Sequence, residues 1–149
     1  MSVLSKAARI GQSLDISNVS ELVRNALPVE DYRGKKILLI VPDSTRTAPV
    51  GLLFKTIYDQ IGKSAEALDV MIALGTHPPM SEKEICERLE ISEEQRQTQY
   101  KLVKFHNHEW DNPDALREIG VIPASDISNL SDGRFEMELP VKINQRLFD

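Results

Sequence analysis

Apolar residues first recur at helical spacing at Val19, Leu22, Val23, Ala26 and Leu27. That period predicts a helix over 19–27, capped by Ser17 or Asn18 and ended by Pro28. The pattern then changes. Lys35 and Lys36 lead into the unbroken run Ile37-Leu38-Leu39-Ile40-Val41, β-branched at both ends, which reads as a buried parallel strand. Past a polar turn at 42–47, Pro49 suits a first helical turn. Val50, Leu53, Phe54, Ile57, Tyr58 and Ile61 then form one apolar face, and Gly62 is the expected stop. The same unit follows again. Ala67–Leu74 is a second strand and Gly75–Met80 a turn. Ser81-Glu82-Lys83-Glu84 matches a capping box, with Ile85, Cys86 and Leu89 on the inner face of the next helix. Strand, loop and helix twice in succession predict a right-handed βαβ arrangement.

The second half is less regular. Glu93–Gln99 reads as a polar helix or helical loop, and Lys101–His106 alternates like a third strand. Residues 107–120 read as a polar turn with a short helix at 113–118. Arg134–Leu139 alternates apolar and charged residues, as in a strand with one wet face, and an amphipathic segment follows over 141–149. The expected fold class is α/β: a Rossmann-like parallel or mixed sheet flanked by helices. It forms a single domain over 18–149 behind an N-terminal arm over 1–17.

Composition narrows the function classes. The 149 residues carry a net charge of −5, against the basic excess of a general nucleic-acid binder. A few local cations still suffice for a small anion. One cysteine, Cys86, gives no internal disulfide, and no run reaches the length of a membrane span. Residues 1–18 lack the apolar core of a signal peptide. The expectation is a cytoplasmic protein without nucleic-acid or membrane partners.

Two loops hold the candidate chemistry. The first, Asp43-Ser44-Thr45-Arg46-Thr47-Ala48-Pro49, follows the first strand. Ligands of open parallel sheets bind outside the carboxyl ends of strands, and a helix start favours anions. Arg46 offers a forked clamp for carboxylate or phosphate, and Asp43 could orient it or accept from a ligand hydroxyl. The plainer reading makes Asp43 a turn cap, Thr47 a helix cap and Arg46 a solvated side chain. The loop has no glycine, so it is neither a P-loop nor a dinucleotide fingerprint. The second, Gly75-Thr76-His77-Pro78-Pro79, follows the second strand. A histidine there can take or give a proton, the prolines stiffen it, and Gly75 permits a sharp exit. Its plainer reading is a histidine packed on the sheet edge.

Other candidates are weaker. His106 and His108 at i, i+2, with Glu109 and Asp111, provide too few ligands for a metal site and read as a polar turn. Cys86 reads as core, and the glutamates of 82–94 as a solvated helix face.

Together, Asp43-Ser44-Thr45-Arg46 and Gly75-Thr76-His77-Pro78 resemble the N-terminal domain of the lactate racemase family. His106–Asp114 and the stretch from Gly120 to Val141-Lys142-Ile143-Asn144 fit as well. The resemblance implies racemisation or epimerisation of a small anionic 2-hydroxy acid with a nickel pincer nucleotide cofactor. A hydride leaves the substrate carbon for the cofactor and returns to either face. On this mapping His77 is one of two acid–base histidines. Asp43 and Arg46 hold the cofactor phosphate or the substrate carboxylate, and Thr45 supports their loop. Pro78 stands where members often carry a basic residue, so the substrate need not be lactate. The second histidine, the cofactor lysine, the nickel-ligand histidine and the C-terminal domain are expected beyond Asp149, leaving this chain inactive alone and open to homo-oligomer contacts. The alternatives are a stand-alone anion-binding module and a purely structural domain.

Overall fold

The computed structural model describes residues 4–149, so only the first three residues of the expected arm lie outside it. The chain has an α/β fold in two compact units, Met1–Ala73 with Pro78–Asn107, and Leu74–His77 with His108–Asp149.

In the first unit, α1 spans Ile16–Ala26. It starts earlier than the apolar period indicates because Asp15, not Ser17 or Asn18, is the cap, its carboxylate accepting from the Asn18 N–H at 2.8 Å. A short helix, α2 (Val29–Tyr32), leads to strand β1 (Lys36–Pro42). Helix α3 (Val50–Ile57) runs into a wider π turn at Tyr58–Gly62, so Gly62 does end the helical stretch. Strand β2 (Ala67–Ala73), helices α4 (Glu82–Arg88) and α5 (Glu93–Gln97), and strand β3 (Phe105–Asn107) follow.

The three strands are parallel in the order β1-β2-β3. Both crossovers step the same way along the sheet, and they touch each other: Lys55 of α3 reaches Glu90 just past α4 at 3.5 Å, and the Tyr58 ring meets Tyr100 just past α5. Val70 and Ile72 of the central strand are fully buried, together with Phe54, Ile61, Leu89 and Tyr100. The rings of Phe54 and Tyr58 flank Tyr100 at 5.1 and 4.8 Å. The edge strand β1 is less covered, and Ile40 is 54% exposed.

Two expectations change here. The third strand covers only Phe105–Asn107. Val103 and Tyr100 are both buried while Leu102 is 80% exposed, and the Val103 N–H turns back to the Tyr100 carbonyl, so the stretch before Phe105 is a turn. Cys86 is half-buried rather than core. Ile85 and Leu89, four apart, occupy the inner face of α4, and Cys86 is rotated off it.

The second unit is built on an antiparallel pair, β4 (Leu116–Ile122) with β5 (Leu139–Asn144), bulged between Glu118 and Gly120. Parallel and antiparallel pairing thus occur in separate sheets. The short helix expected at 113–118 is one 3₁₀ turn, Pro113–Ala115, running straight into β4. The strand expected at 134–139 is displaced to β5. Phe135 and Met137 are about 60% exposed, 61% and 59%, so their alternation has no buried face to fill. Helix α6 (Ala124–Leu130) lies between the strands, a feature absent from the apolar pattern.

Candidate functional site

β1 and β2 run in register from Lys36↔Ala67 to Pro42↔Ala73, so the two loops leave the carboxyl ends of neighbouring parallel strands. This is the edge at which open α/β sheets take ligands.

The first loop is braced from inside and outside. Asp43 is buried at 6% exposure. Its Oδ1 accepts from the Thr45 N–H at 3.1 Å and from the Thr45 hydroxyl at 2.5 Å, closing a turn over Ser44. From outside comes Arg88, at the end of α4. Its Nε donates to the Pro42 carbonyl at 3.1 Å and its Nη2 to the Arg46 carbonyl at 2.8 Å. These carbonyls flank the Asp43–Thr45 turn on either side.

Arg46 is exposed, and its guanidinium makes no hydrogen bond or ion pair among the described residues. Asp43 therefore serves the turn and does not orient that arginine. The turn-cap reading of Asp43 holds. The helix-cap reading of Thr47 does not, because α3 begins at Val50 with Pro49 in the cap position and no side-chain cap. Nor is the start of α3 an open anion site. A Cβ on Gly51 would lie 2.6–2.7 Å from Glu90, whose carboxylate also reaches Lys55 at 3.5 Å. A carboxylate already sits at the positive end of that helix. What the loop itself presents to solvent is its side chains and turn N–H groups.

Gly75, Thr76 and His77 are exposed and follow the buried Leu74. Gly75 does not have a positive φ, and a Cβ there would meet nothing within 4 Å, so the exit from β2 does not require glycine. After the two prolines, the Asn107 side chain grips Met80, accepting from its N–H at 3.0 Å and donating to its carbonyl at 2.9 Å. His77 belongs to the second unit, and Asp43, Thr45 and Arg46 to the first.

The two remaining histidines have separate partners. His106 Nε2 lies 3.3 Å from Asp69 Oδ2, while Oδ1 of that aspartate accepts the Lys104 N–H. His108 lies past the end of β3, with its Nδ1 3.1 Å from Nδ2 of the buried Asn144. Among the described residues no group of three or more His, Cys, Asp or Glu side chains could hold a metal ion. Arg88 is the residue that sequence reading passes over. It sits 46 positions from Pro42, within an acidic helix, and no local pattern announces its contact.

The sequence profile of the lactate racemase N-terminal domain matches residues 6–144. The chain belongs to the lactate racemase N-terminal family. A comparison with curated proteins finds no match. Among solved structures, a crystal structure of a protein from Thermotoga maritima is similar, with 33% sequence identity and a TM-score of 0.78. The match covers 91% of this chain and 31% of that one, so the chain spans about a third of the length of this relative. Membership of the lactate racemase N-terminal family covers both candidate loops and both units.

Proposed function

We propose that this chain supplies the N-terminal part of a nickel-pincer-dependent racemase or epimerase of 2-hydroxy acids. In this reading the Asp43–Thr47 loop holds an anionic group and His77 moves a proton at the substrate hydroxyl. The observation that carries it is the exposed, unpaired Arg46 guanidinium on a turn braced by Asp43 and Arg88, within a chain of the lactate racemase N-terminal family.

The chemistry follows from the groups. Arg46 is suited to a forked, charge-assisted grip on a carboxylate or phosphate. Ser44 and Thr47 add exposed hydroxyls beside it. Turning a 2-hydroxy acid over requires its hydroxyl proton to leave as the carbonyl forms and to return as the opposite face is rebuilt. An imidazole does both near neutral pH, and His77 fills that role. When bound, the pincer cofactor supplies the acceptor for the substrate hydride. Its anionic end suits the first loop. Its metal finds no ligand set among the described residues, so they are assigned the anion and the proton and not the nickel.

Arg46→Ala tests the loop assignment in the cofactor-loaded enzyme. Loss of a charge-assisted clamp should raise KM for the hydroxy acid, or the Kd for the cofactor, by roughly ten- to a hundredfold. Unchanged values of both would remove Arg46 from the site.

A further inference from the structure

We infer that Arg88 is a positioning residue for the anion loop: its guanidinium fixes the Asp43–Thr45 turn and adds a second positive charge behind it. The inference rests on the anion-loop reading above. A guanidinium is a planar fork whose donors keep a fixed spacing, and here two of them engage two backbone carbonyls four residues apart in sequence, Pro42 and Arg46. One side chain thereby clamps the loop at both ends, while Asp43 closes it from within. A lysine cannot reproduce this, because it presents a single point of charge.

The choice of partners matters as much as the geometry. Arg88 spends its hydrogen bonds on neutral carbonyls and forms no ion pair with a carboxylate among the described residues. Its charge is therefore not spent on a contact ion pair, and it faces the loop together with the carboxylate of Asp43 that closes the turn. Its donors also occupy two carbonyl oxygens whose partial negative charge would repel an incoming anion. The N–H groups of Ser44 and Thr47 and the Arg46 guanidinium have no partner among the described residues and remain as donors. The two carbonyls that flank the turn are satisfied by a cation, and the N–H groups of Ser44 and Thr47 are left over as donors, which is the polarity an anion needs.

The test is a titration of the protein with inorganic phosphate, followed by the backbone amide signals of Ser44–Thr47, on the parent, Arg88→Ala, Arg88→Lys and Arg46→Ala proteins. The parent should bind saturably with a Kd that weakens as salt is raised. Arg88→Ala should weaken binding by about tenfold and flatten the salt dependence. Arg88→Lys should restore the salt dependence but only part of the affinity, since charge returns without the fork. A merely structural arginine would not divide the two readouts in this way. Binding that is lost in Arg46→Ala but unchanged in Arg88→Ala and Arg88→Lys would overturn the role of Arg88 while leaving the anion loop intact. Absence of phosphate binding in the folded parent would overturn both. If Arg88→Ala fails to fold, Arg88→Lys decides: parent affinity there excludes the fork.

Discussion

At the residue scale, Asp43 and Cys86 show opposite uses of partial burial. Asp43 is almost covered, but both a backbone N–H and a hydroxyl satisfy its Oδ1. Removing it should leave the Thr45 N–H and hydroxyl without their acceptor and cost about 1–3 kcal/mol, read as a lower midpoint in urea. Asp43→Asn should recover part of that loss. Cys86 has no such partner in the loop chemistry. Burial pushes its thiol above its ordinary range, with the charge of Arg96 only partly opposing the shift. Because the raised value disfavours thiolate, alkylation by iodoacetamide should stay slow at neutral pH and accelerate only in strongly alkaline buffer. Fast labelling at pH 7 would contradict this burial. The sequence placed Cys86 on the inner face because it neighbours Ile85. The helical period gives that face to Ile85 and Leu89 instead.

At the element scale, the legible parts are those set by local rules. Ser81 and Glu84 form the expected capping box, with the Glu84 carboxylate accepting both the Ser81 hydroxyl and its N–H at 2.7 Å. Those bonds, the hydroxyl first, hold the Glu84 pKa below its ordinary value. A depressed carboxylate contributes stability above its unfolded pKa and loses it as pH falls through the folded one. The parent should therefore lose part of α4 in acid below about pH 4.5, and Glu84→Gln should remove that part of the acid dependence. Ser81→Ala should cost about 1 kcal/mol at neutral pH, measured by thermal melting. The parallel strands β1 and β2 were legible for the same reason, since the unbroken run Ile37–Val41 and the run Val70–Leu74 after Asp69 are too apolar to lie in water. β4, β5 and α6 were not. None of their apolar residues is buried, and some stand well exposed, Val121 at 45% and Leu130 at 81%, so periodicity had no buried face to report.

At the scale of the whole molecule, the buried apolar residues belong to the first unit except for Leu74, while the second holds Ile119, Phe135 and Met137 exposed. Amide exchange should reflect this, slowest at Leu68–Ile72 and fast over Phe135–Glu138. Equal protection in the two stretches would show that the units unfold together. The candidate site follows the same division of legibility. Asp43, Thr45 and Arg46 were visible as a polar loop between apolar elements, and the family resemblance gave His77 its meaning. Arg88 was not visible, because its contacts with Pro42 and Arg46 arise only when α4 folds back beside β1.

The most direct measurement of the proposed function is interconversion of the enantiomers of a 2-hydroxy acid by the cofactor-loaded enzyme, parent against His77→Ala. With cofactor occupancy matched, loss of the acid–base imidazole should lower kcat by at least about a hundredfold. Racemisation at the parent rate in His77→Ala would contradict the role of His77 and, with it, the reading of this chain as part of the catalytic site.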